Sequence, residues 1–377
     1  MPGGTKRILV SPISWGLGHA TRDLPIIRDF LARGHRVTIA AEGRALRLLQ
    51  REVPECEFLP FKDYPSPYTT TRRFIARFLA MIPVMQTAIN AERRRFQRLL
   101  TGRRFDLILS DHRYGIHAPD TPSFIISNQL CFMAPVRLRW RRTVSYALEP
   151  IEFFLEMYNA RTFTRFDRII IPDYEDPMNN LCGRMTHGLL RFAPASLYYA
   201  GVLSSVRKQR TPEDVDVFIT ITGPEPQRTQ LERVVLEQAH RLPHPRIVVT
   251  LGKPEDRRVR RLNDRITVHG HLNRCEQEAM LNRARLVVGR SGYTTIMELA
   301  ELGKKALFIP TPAQTEQEYL AALYKRRGWF HTVNQEDLDL VRDVEAAQTM
   351  PGFPFCVDAQ AGLERLYRDL FAPVLDG

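Results

Sequence analysis

At 377 residues, 44% hydrophobic and 25% charged, the chain is long enough for two domains that each bury a core. Its formal net charge of +12 calls for an anionic partner: a lipid surface, a polyphosphate or nucleic acid. No run approaches the roughly eighteen apolar residues of a membrane-spanning helix.

Five cysteines, at 56, 131, 182, 275 and 356, are odd in number and lack CxxC spacing. That is the pattern of reduced thiols and not of disulfides or zinc ligands. Met1–Arg7 runs into a strand without a signal-peptide core, so the expected location is cytoplasmic.

Strands and helices alternate from the start. Strands are expected at Arg7–Ser11, His35–Ala41, Glu57–Phe61, Asp106–Ser110, Ser123–Ser127 and Arg168–Pro172, with helices at His19–Ala32 and Thr71–Leu100. After a polar basic stretch, strands follow at Asp216–Thr222, Arg246–Leu251, Arg265–His269, Arg285–Val288 and Lys305–Pro310. The helices there are Gln227–His240, Arg274–Arg283, Thr294–Leu302 and Thr315–Arg326. Short apolar strands alternating with helices imply an α/β chain with two doubly wound parallel sheets. The expected division is 1–200, a linker at 201–212, 213–356, and a C-terminal helix at 357–377 packing back on the first domain. Ligands of such sheets bind beyond the C-terminal strand ends, here in a cleft between two domains.

The first strand leads into Trp15-Gly16-Leu17-Gly18-His19-Ala20-Thr21-Arg22. Two glycines permit a tight turn and close backbone approach. His19 falls at a helix N-terminus, where the dipole disfavours imidazolium and leaves a neutral base. Thr21 stands where a dinucleotide fingerprint needs its third glycine, which argues against NAD. Asp111, at the end of another strand, can orient His19 or act as the base itself. Asn128 and Gln129 are weaker candidates after the next strand.

In the second half, Gly223 opens a turn into a helix on which Arg228 can reach a phosphate. His271 and Leu272 follow a strand end where backbone groups can hold a base edge. Arg290-Ser291-Gly292-Tyr293-Thr294-Thr295 is a strand-to-helix turn whose first-turn amides suit a pyrophosphate. Glu298, a turn further on, can accept both hydroxyls of a ribose. Gln314, Gln317 and Glu318 open the next helix, where Gln317 and Glu318 can meet sugar hydroxyls. The two Asp-x-Asp strings, at 214–216 and in a helix-like run at 337–339, are read as accidental, and no metal is expected.

The set Gly-x-Gly-His, Arg-Ser-Gly-x-x-Thr-x-x-Glu and Pro-x5-Glu-Gln-Glu-Tyr resembles the GT-B glycosyltransferases, in particular family 28, the MurG-like transferases. The resemblance is strong at residues 14–24 and 286–322. It implies two Rossmann-like domains, a UDP-sugar co-substrate on the C-terminal one, an acceptor on the N-terminal one, and metal-independent inversion without a further cofactor. Carried onto this chain, it sets Ser291 and Gly292 by the diphosphate, Glu298 on the ribose, Gln317 on the donor sugar and His19 at the reaction centre. Gly16, Gly18 and Arg22 then form the acceptor loop. Two positions depart from the family pattern: Glu318 replaces a second glutamine, and Gly-Leu-Gly-His replaces a Gly-Gly-His ending.

Residues Thr71–Arg104 carry nine arginines and one acid, Glu92, around the apolar run Phe74–Met85. This composition suits either a core helix with solvated arginines or an interfacial helix on anionic lipid, with Val136–Arg142 as a second basic patch. A lipid-linked or membrane-proximal acceptor on the inner membrane face agrees with the second reading. No nucleic-acid-binding pattern is present. Two rivals stand beside transfer: hydrolysis of a nucleotide sugar on the same fold, and a non-enzymatic membrane- or polyanion-binding protein.

Overall fold

The structure, a computed structural model, describes residues 4–65, 74–131 and 142–377, and gives only the backbone at 74–80 and 142–151. It divides into two compact units. Of the described residues, the first holds 4–65, 74–131, 142–205 and 358–377, and the second holds 206–357.

The first unit is built on a seven-stranded parallel sheet. In chain order its strands are β1 (Arg7–Pro12), β2 (Arg36–Ala41), β3 (Glu57–Pro60), β4 (Leu107–Asp111), β5 (Ser123–Ile126), β6 (Arg168–Ile171) and β7 (Leu197–Tyr199). They lie side by side as β3-β2-β1-β4-β5-β6-β7. Ile8, Leu9 and Val10 are fully buried, as expected of a strand covered by helices on both faces. The register sets Pro12 opposite Asp111, so β1 and β4 end together.

Helix α1 (Leu17–Ala32) buries Ala20, Leu24, Ile27 and Phe30, three to four residues apart. α2 (Gly43–Glu52) and α4 (Arg142–Phe163) have no counterpart in the sequence reading. Between them, α3 (Phe74–Gly102) buries Ile89, Glu92 and Phe96, while Arg94 and Arg98 are exposed. Its C-terminal half is therefore a core helix with a solvated basic face. Residues 71–73 and Val136–Arg141 of the proposed lipid-binding patches lie outside the described residues, as do the side chains of 74–80 and Arg142.

The C-terminal helix α10 (Ala359–Leu366) and the turn after it belong to the first unit. There Phe371 lies 5.0 Å from Phe30 and 5.5 Å from Phe124, centroid to centroid.

The second unit carries β8 (Val215–Thr220), β9 (Ile247–Thr250), β10 (Val259–Arg261), β11 (Ile266–His269), β12 (Ala284–Gly289), β13 (Lys305–Phe308) and β14 (His331–Thr332). Their order is β10-β11-β9-β8-β12-β13-β14. All pairs are parallel except β10 with β11. The helices are α5 (Gln227–Gln238), α6 (Arg274–Arg283), α7 (Tyr293–Leu302), α8 (Thr315–Arg327) and α9 (Leu340–Gln348). Val217, Ile219, Val249, Val268, Val288 and Leu307 pack with Leu231, Val235, Leu340 and Val344 as its core.

Part of the expected linker is laid against α6. The amides of Arg207 and Gln209 donate to Glu278 Oε1 and Asn282 Oδ1, both at 2.8 Å. Both Asp-x-Asp strings are structural. Asp214 pairs with Arg283 and Arg246, and Asp216 with Arg285. The second string is not helical throughout: Asp337 closes a 3-10 turn and Asp339 caps α9 by accepting from the Val341 and Arg342 amides.

Candidate functional site

In the first unit, His19, Arg22, Asp111, His112 and Asn128 come together at the ends of β4 and β5. Arg22, 2% exposed, grips Asp111 through Nε–Oδ2 at 2.6 Å and a second bond from Nη2 to Oδ1. Its Nη1 donates to Asn128 Oδ1 at 2.8 Å. Arg22 is thus a positioning group, not part of a free acceptor loop. Burial alone would raise the Asp111 pKa, but Arg22 and then His19 outweigh it and hold the carboxyl well below the ordinary carboxylate range. A fully buried carboxylate bonded in this way does not collect protons, which corrects the expectation that Asp111 can be the base.

His19 Nδ1 lies 3.0 Å from Asp111 Oδ1 and also 3.0 Å from Arg22 Nη2. Guanidinium only donates, so it cannot bond a protonated Nδ1; the carboxylate takes that proton. Nε2 is then left with its lone pair on a side chain one-fifth exposed. The glycines play a smaller part than expected. Gly16 caps α1 in extended backbone and a Cβ there meets nothing within 4 Å. Gly18 lies inside the first turn, its carbonyl accepting from Thr21 Oγ1.

Asp23, one turn past His19, did not stand out in the sequence. The signal is a carboxylate on the apolar face of α1, among Ala20, Leu24 and Ile27. It is fully buried, and neither of its oxygens has a hydrogen-bond donor among the described residues. Burial first and the Asp111 charge second push its pKa well above the ordinary value, against Arg22. Of the two buried carboxyls, Asp23 is therefore the one that favours its protonated form and Asp111 the one that favours its ionised form. A raised folded pKa contributes stability below the unfolded value of roughly 3.9, and loses it as pH rises from there to the folded pKa. Asp23→Asn keeps a donor and cannot ionise, so its Tm advantage over the parent should grow between pH 4 and pH 7. Equal differences at both pH values would refute the assignment.

After Asp111 the chain turns sharply. His112 takes a left-handed backbone, φ 56, uncommon outside glycine. Burial, then the charges of His19 and Arg22, push its pKa down to about 3, so it is neutral. The rings of His19 and His112 meet edge-on with centroids 5.1 Å apart. Arg113 is structural: fully buried, it bonds Glu92 Oε1 at 2.8 Å and the Lys62 carbonyl at 2.6 Å. Gly115 is required there, because a Cβ would fall 2.8 Å from Glu92 Oε2. Gln129 donates its backbone N–H to Ser127 Oγ at 3.2 Å.

His19, Asp111 and His112 bring three potential ligand atoms within 4.8 Å of one another. Arg22 already bonds both oxygens of Asp111, and its charge repels a cation at that point.

In the second unit the expected donor residues gather past the ends of β8, β12 and β13. Gly223 needs its hydrogen side chain because its φ is +120, a backbone conformation that L side chains rarely adopt. Gly292 caps α7 with no side-chain hydrogen bond, and Ile296 is the first amide paired back to it, at 3.0 Å. The first turn of α7, with Thr294 and Thr295 half-buried, points its amide dipoles past Gly292. Gln317 reaches the same place. Its Oε1 accepts from the Thr311 amide at 2.8 Å, which leaves Nε2 3.7 Å from where a Gly292 Cβ would be. Gln314 caps α8, and its Oε1 is buried without a partner among the described residues.

Other expectations change. Arg228 does not point at a phosphate: Nε bonds Glu225 at 2.6 Å, and Nη1 bonds Glu232 at 2.8 Å and the Leu251 carbonyl at 3.1 Å. Two carboxylates cancel its charge. Arg290, 2% exposed, does not line the site either. It clamps the carbonyls of Thr222, Ile309, Pro310 and Gln227 at 3.1–3.3 Å and Gln335 Oε1 at 2.6 Å. Burial lowers its pKa to about 10, and every one of these partners is a neutral oxygen. Ser291 spends its hydroxyl proton on the Gln317 carbonyl at 2.8 Å, leaving only backbone for an anion. Glu318 braces the loop by accepting from the Ala313 amide at 3.0 Å, where Ala313 has φ 67. Leu272 is buried and His271 half-buried at the end of β11.

Glu298 is 3% exposed and bonded by Arg274 Nη2 at 2.6 Å. A ribose must share that carboxylate or displace the arginine. Glu298→Gln, which keeps the shape, should weaken donor binding at least tenfold by calorimetry. Glu298→Ala should also lower Tm, because Arg274 loses its buried counter-charge. An unchanged donor affinity in Glu298→Gln would remove the residue from the site.

Comparison with known proteins agrees with this architecture. Residues 219–365 match the glycosyltransferase family 28 C-terminal domain. An uncharacterized glycosyltransferase of Methanosarcina mazei is 25% identical over 335 residues, covering 86% of this chain and 85% of that one. A shorter match, 35% identical over 66 residues, covers 17% of this chain and 18% of a Caldanaerobacter subterraneus enzyme. That enzyme is a UDP-N-acetylglucosamine--N-acetylmuramyl-(pentapeptide) pyrophosphoryl-undecaprenol N-acetylglucosamine transferase. The calicheamicin glycosyltransferase CalG4 shares the fold, with TM-score 0.62 and 14% identity over 98% of this chain and 94% of its own. Two seven-stranded Rossmann-like sheets and these matches identify the chain as a GT-B glycosyltransferase that carries the family 28 C-terminal domain.

Proposed function

We propose that the chain moves a sugar from a uridine diphosphate sugar, held by the second unit, to a hydroxyl of a lipid-linked or membrane-proximal acceptor held by the first. Transfer inverts the anomeric centre and uses neither a metal ion nor a further cofactor. The observation that carries this reading is the His19–Asp111–Arg22 arrangement. Arg22 keeps Asp111 ionised, Asp111 holds the proton on His19 Nδ1, and Nε2 is left to take the proton of the acceptor hydroxyl as it attacks. Asp111 is too enclosed to attack carbon itself, so one displacement, and hence inversion, is the route these residues support. The leaving diphosphate gains charge against the first-turn amides of α7 and the Gln317 amide.

The uridine assignment leans on the Caldanaerobacter relative, whose name specifies a UDP-sugar. A membrane-proximal acceptor fits the apolar surface of the first unit. Phe153, Phe154 and Met157 on α4 are 44–49% exposed, and Leu190, whose amide donates to Glu156 Oε1 of that helix at 2.8 Å, is 81% exposed. No described helix is long and apolar enough to cross a membrane.

The test is a thermal-shift screen with UDP-, GDP- and TDP-sugars, followed by turnover with and without lipid acceptor. UDP-sugars should raise Tm, turnover should require acceptor, and a chelator should change nothing. Equal consumption of sugar nucleotide without acceptor would replace transfer by hydrolysis.

A further inference from the structure

Strand β10 lies at one edge of the second unit's sheet, and none of its residues is buried. Residues 257–264, Arg-Arg-Val-Arg-Arg-Leu-Asn-Asp, are exposed without interruption. They carry four guanidinium groups against the single carboxylate of Asp264. Val259 and Leu262 stand among them 60% and 51% exposed.

The shape of this edge is fixed. β10 pairs antiparallel with β11, Arg260 opposite Val268. The loop before it closes onto Gly270, whose carbonyl accepts from the Lys253 amide at 2.9 Å. A Cβ on Gly270 would fall 2.3 Å from the Asp256 carbonyl oxygen, so the close approach requires glycine. Two of the four cations are partly spent: Arg258 bonds Asp256 at 2.8 Å, and Arg261 lies 3.4 Å from Asp264. Arg257 and Arg260 commit their guanidinium groups to no hydrogen bond or ion pair among the described residues.

Charge at a sheet edge commonly serves to repel other strands. Arginine alone would do that, and this strand is already only three residues long. Two apolar side chains left in water among the arginines work against such protection. Cations interleaved with exposed apolar groups match instead the boundary of an anionic bilayer, where guanidinium meets phosphate and the apolar groups enter below it. An acidic peptide adding as a strand fits less well. The Arg258 carbonyl and the Leu262 amide are bonded to β11, so within β10 only Val259 and Arg261 turn backbone groups outward. Nucleic acid calls for stacking rings, and residues 253–265 contain no aromatic.

We propose that the edge formed by Arg257–Leu262 is a docking surface for anionic phospholipid, which gives the second unit a membrane contact of its own. The proposal depends neither on the identity of donor and acceptor nor on the apolar surface of α4.

The experiment sediments the full chain with vesicles of phosphatidylcholine alone and of equimolar phosphatidylcholine and phosphatidylglycerol. Only the mixed vesicles should retain it. Arg257→Glu/Arg260→Glu should weaken that binding roughly tenfold or more. The same charge change in Lys325→Glu/Arg326→Glu, at exposed positions of α8, which packs against β14 at the opposite edge of the sheet, should leave it within about threefold. Val259→Ser/Leu262→Ser keeps every charge and should remove most of the binding that survives high salt. All of these positions are exposed, so each variant should melt with the parent. No retention by mixed vesicles, parental binding in the arginine variant, or an equal loss in the α8 control overturns the proposal. Binding that falls with the arginines but ignores Val259 and Leu262 also overturns it, in favour of a soluble acidic partner.

Discussion

His19→Ala should lower kcat by roughly 10²- to 10⁴-fold, the range set by removal of a positioned base, while the donor dissociation constant stays within a factor of two or so of the parent value. With Nδ1 facing Asp111, the His19 imidazole keeps a lone pair on Nε2 of a partly exposed side chain, and the donor residues lie past separate strands of the other unit. Asp111→Asn separates orientation from proton transfer. The amide keeps the shape but can present N–H to His19 Nδ1 and so favour the wrong tautomer. A comparable loss of kcat is expected, together with a lower Tm, because Arg22 would be left buried without its counter-charge, about 3–5 kcal/mol by analogy with other broken buried pairs. Single-turnover kinetics and donor titration on both variants decide the matter. If His19→Ala retains more than a tenth of parental kcat, the base lies elsewhere.

Arg290→Met should destabilise the second unit by about 3–5 kcal/mol, on the scale of leaving several buried acceptors unsatisfied. It should also abolish measurable donor binding. The guanidinium ties the segments after β8 and β13 to the turn after β12. Without it, Gly223, Gly292 and Gln317 lose their common frame, although none of them is mutated. Arg290→Lys should recover little of this, because a single ammonium cannot span carbonyls on both sides. Denaturant melts give the stability change and calorimetry the donor affinity. A variant with parental stability would mean that the clamp is ornamental.

The parallel strands were legible because each is a short apolar run between polar helices. Helix α6 was legible to the residue, since Asn273 and Glu276 form a reciprocal cap. The strands that escaped were short or exposed. β10 carries two arginines and no buried residue, and β14 has two residues, too few to show alternation. In the candidate site, residue types and positions were visible and directions were not. Arg228 and Arg290 sit next to glycine turns, as phosphate-binding arginines do. Only the fold reveals that one faces two glutamates and the other a ring of carbonyls. Asp111 was placed correctly beside His19, yet its inability to act as a base depends on Arg22, a helical turn beyond His19, reaching across to it.

The contribution of Asp358–Gly377 to the first unit bears on how the protein is made. During synthesis the second unit is complete before the ribosome releases the residues that supply Phe371 to the ring cluster of Phe30 and Phe124. The half of the protein translated earliest therefore matures last. A stop codon shortly after residue 357 should yield a soluble second unit tethered to an aggregation-prone partner.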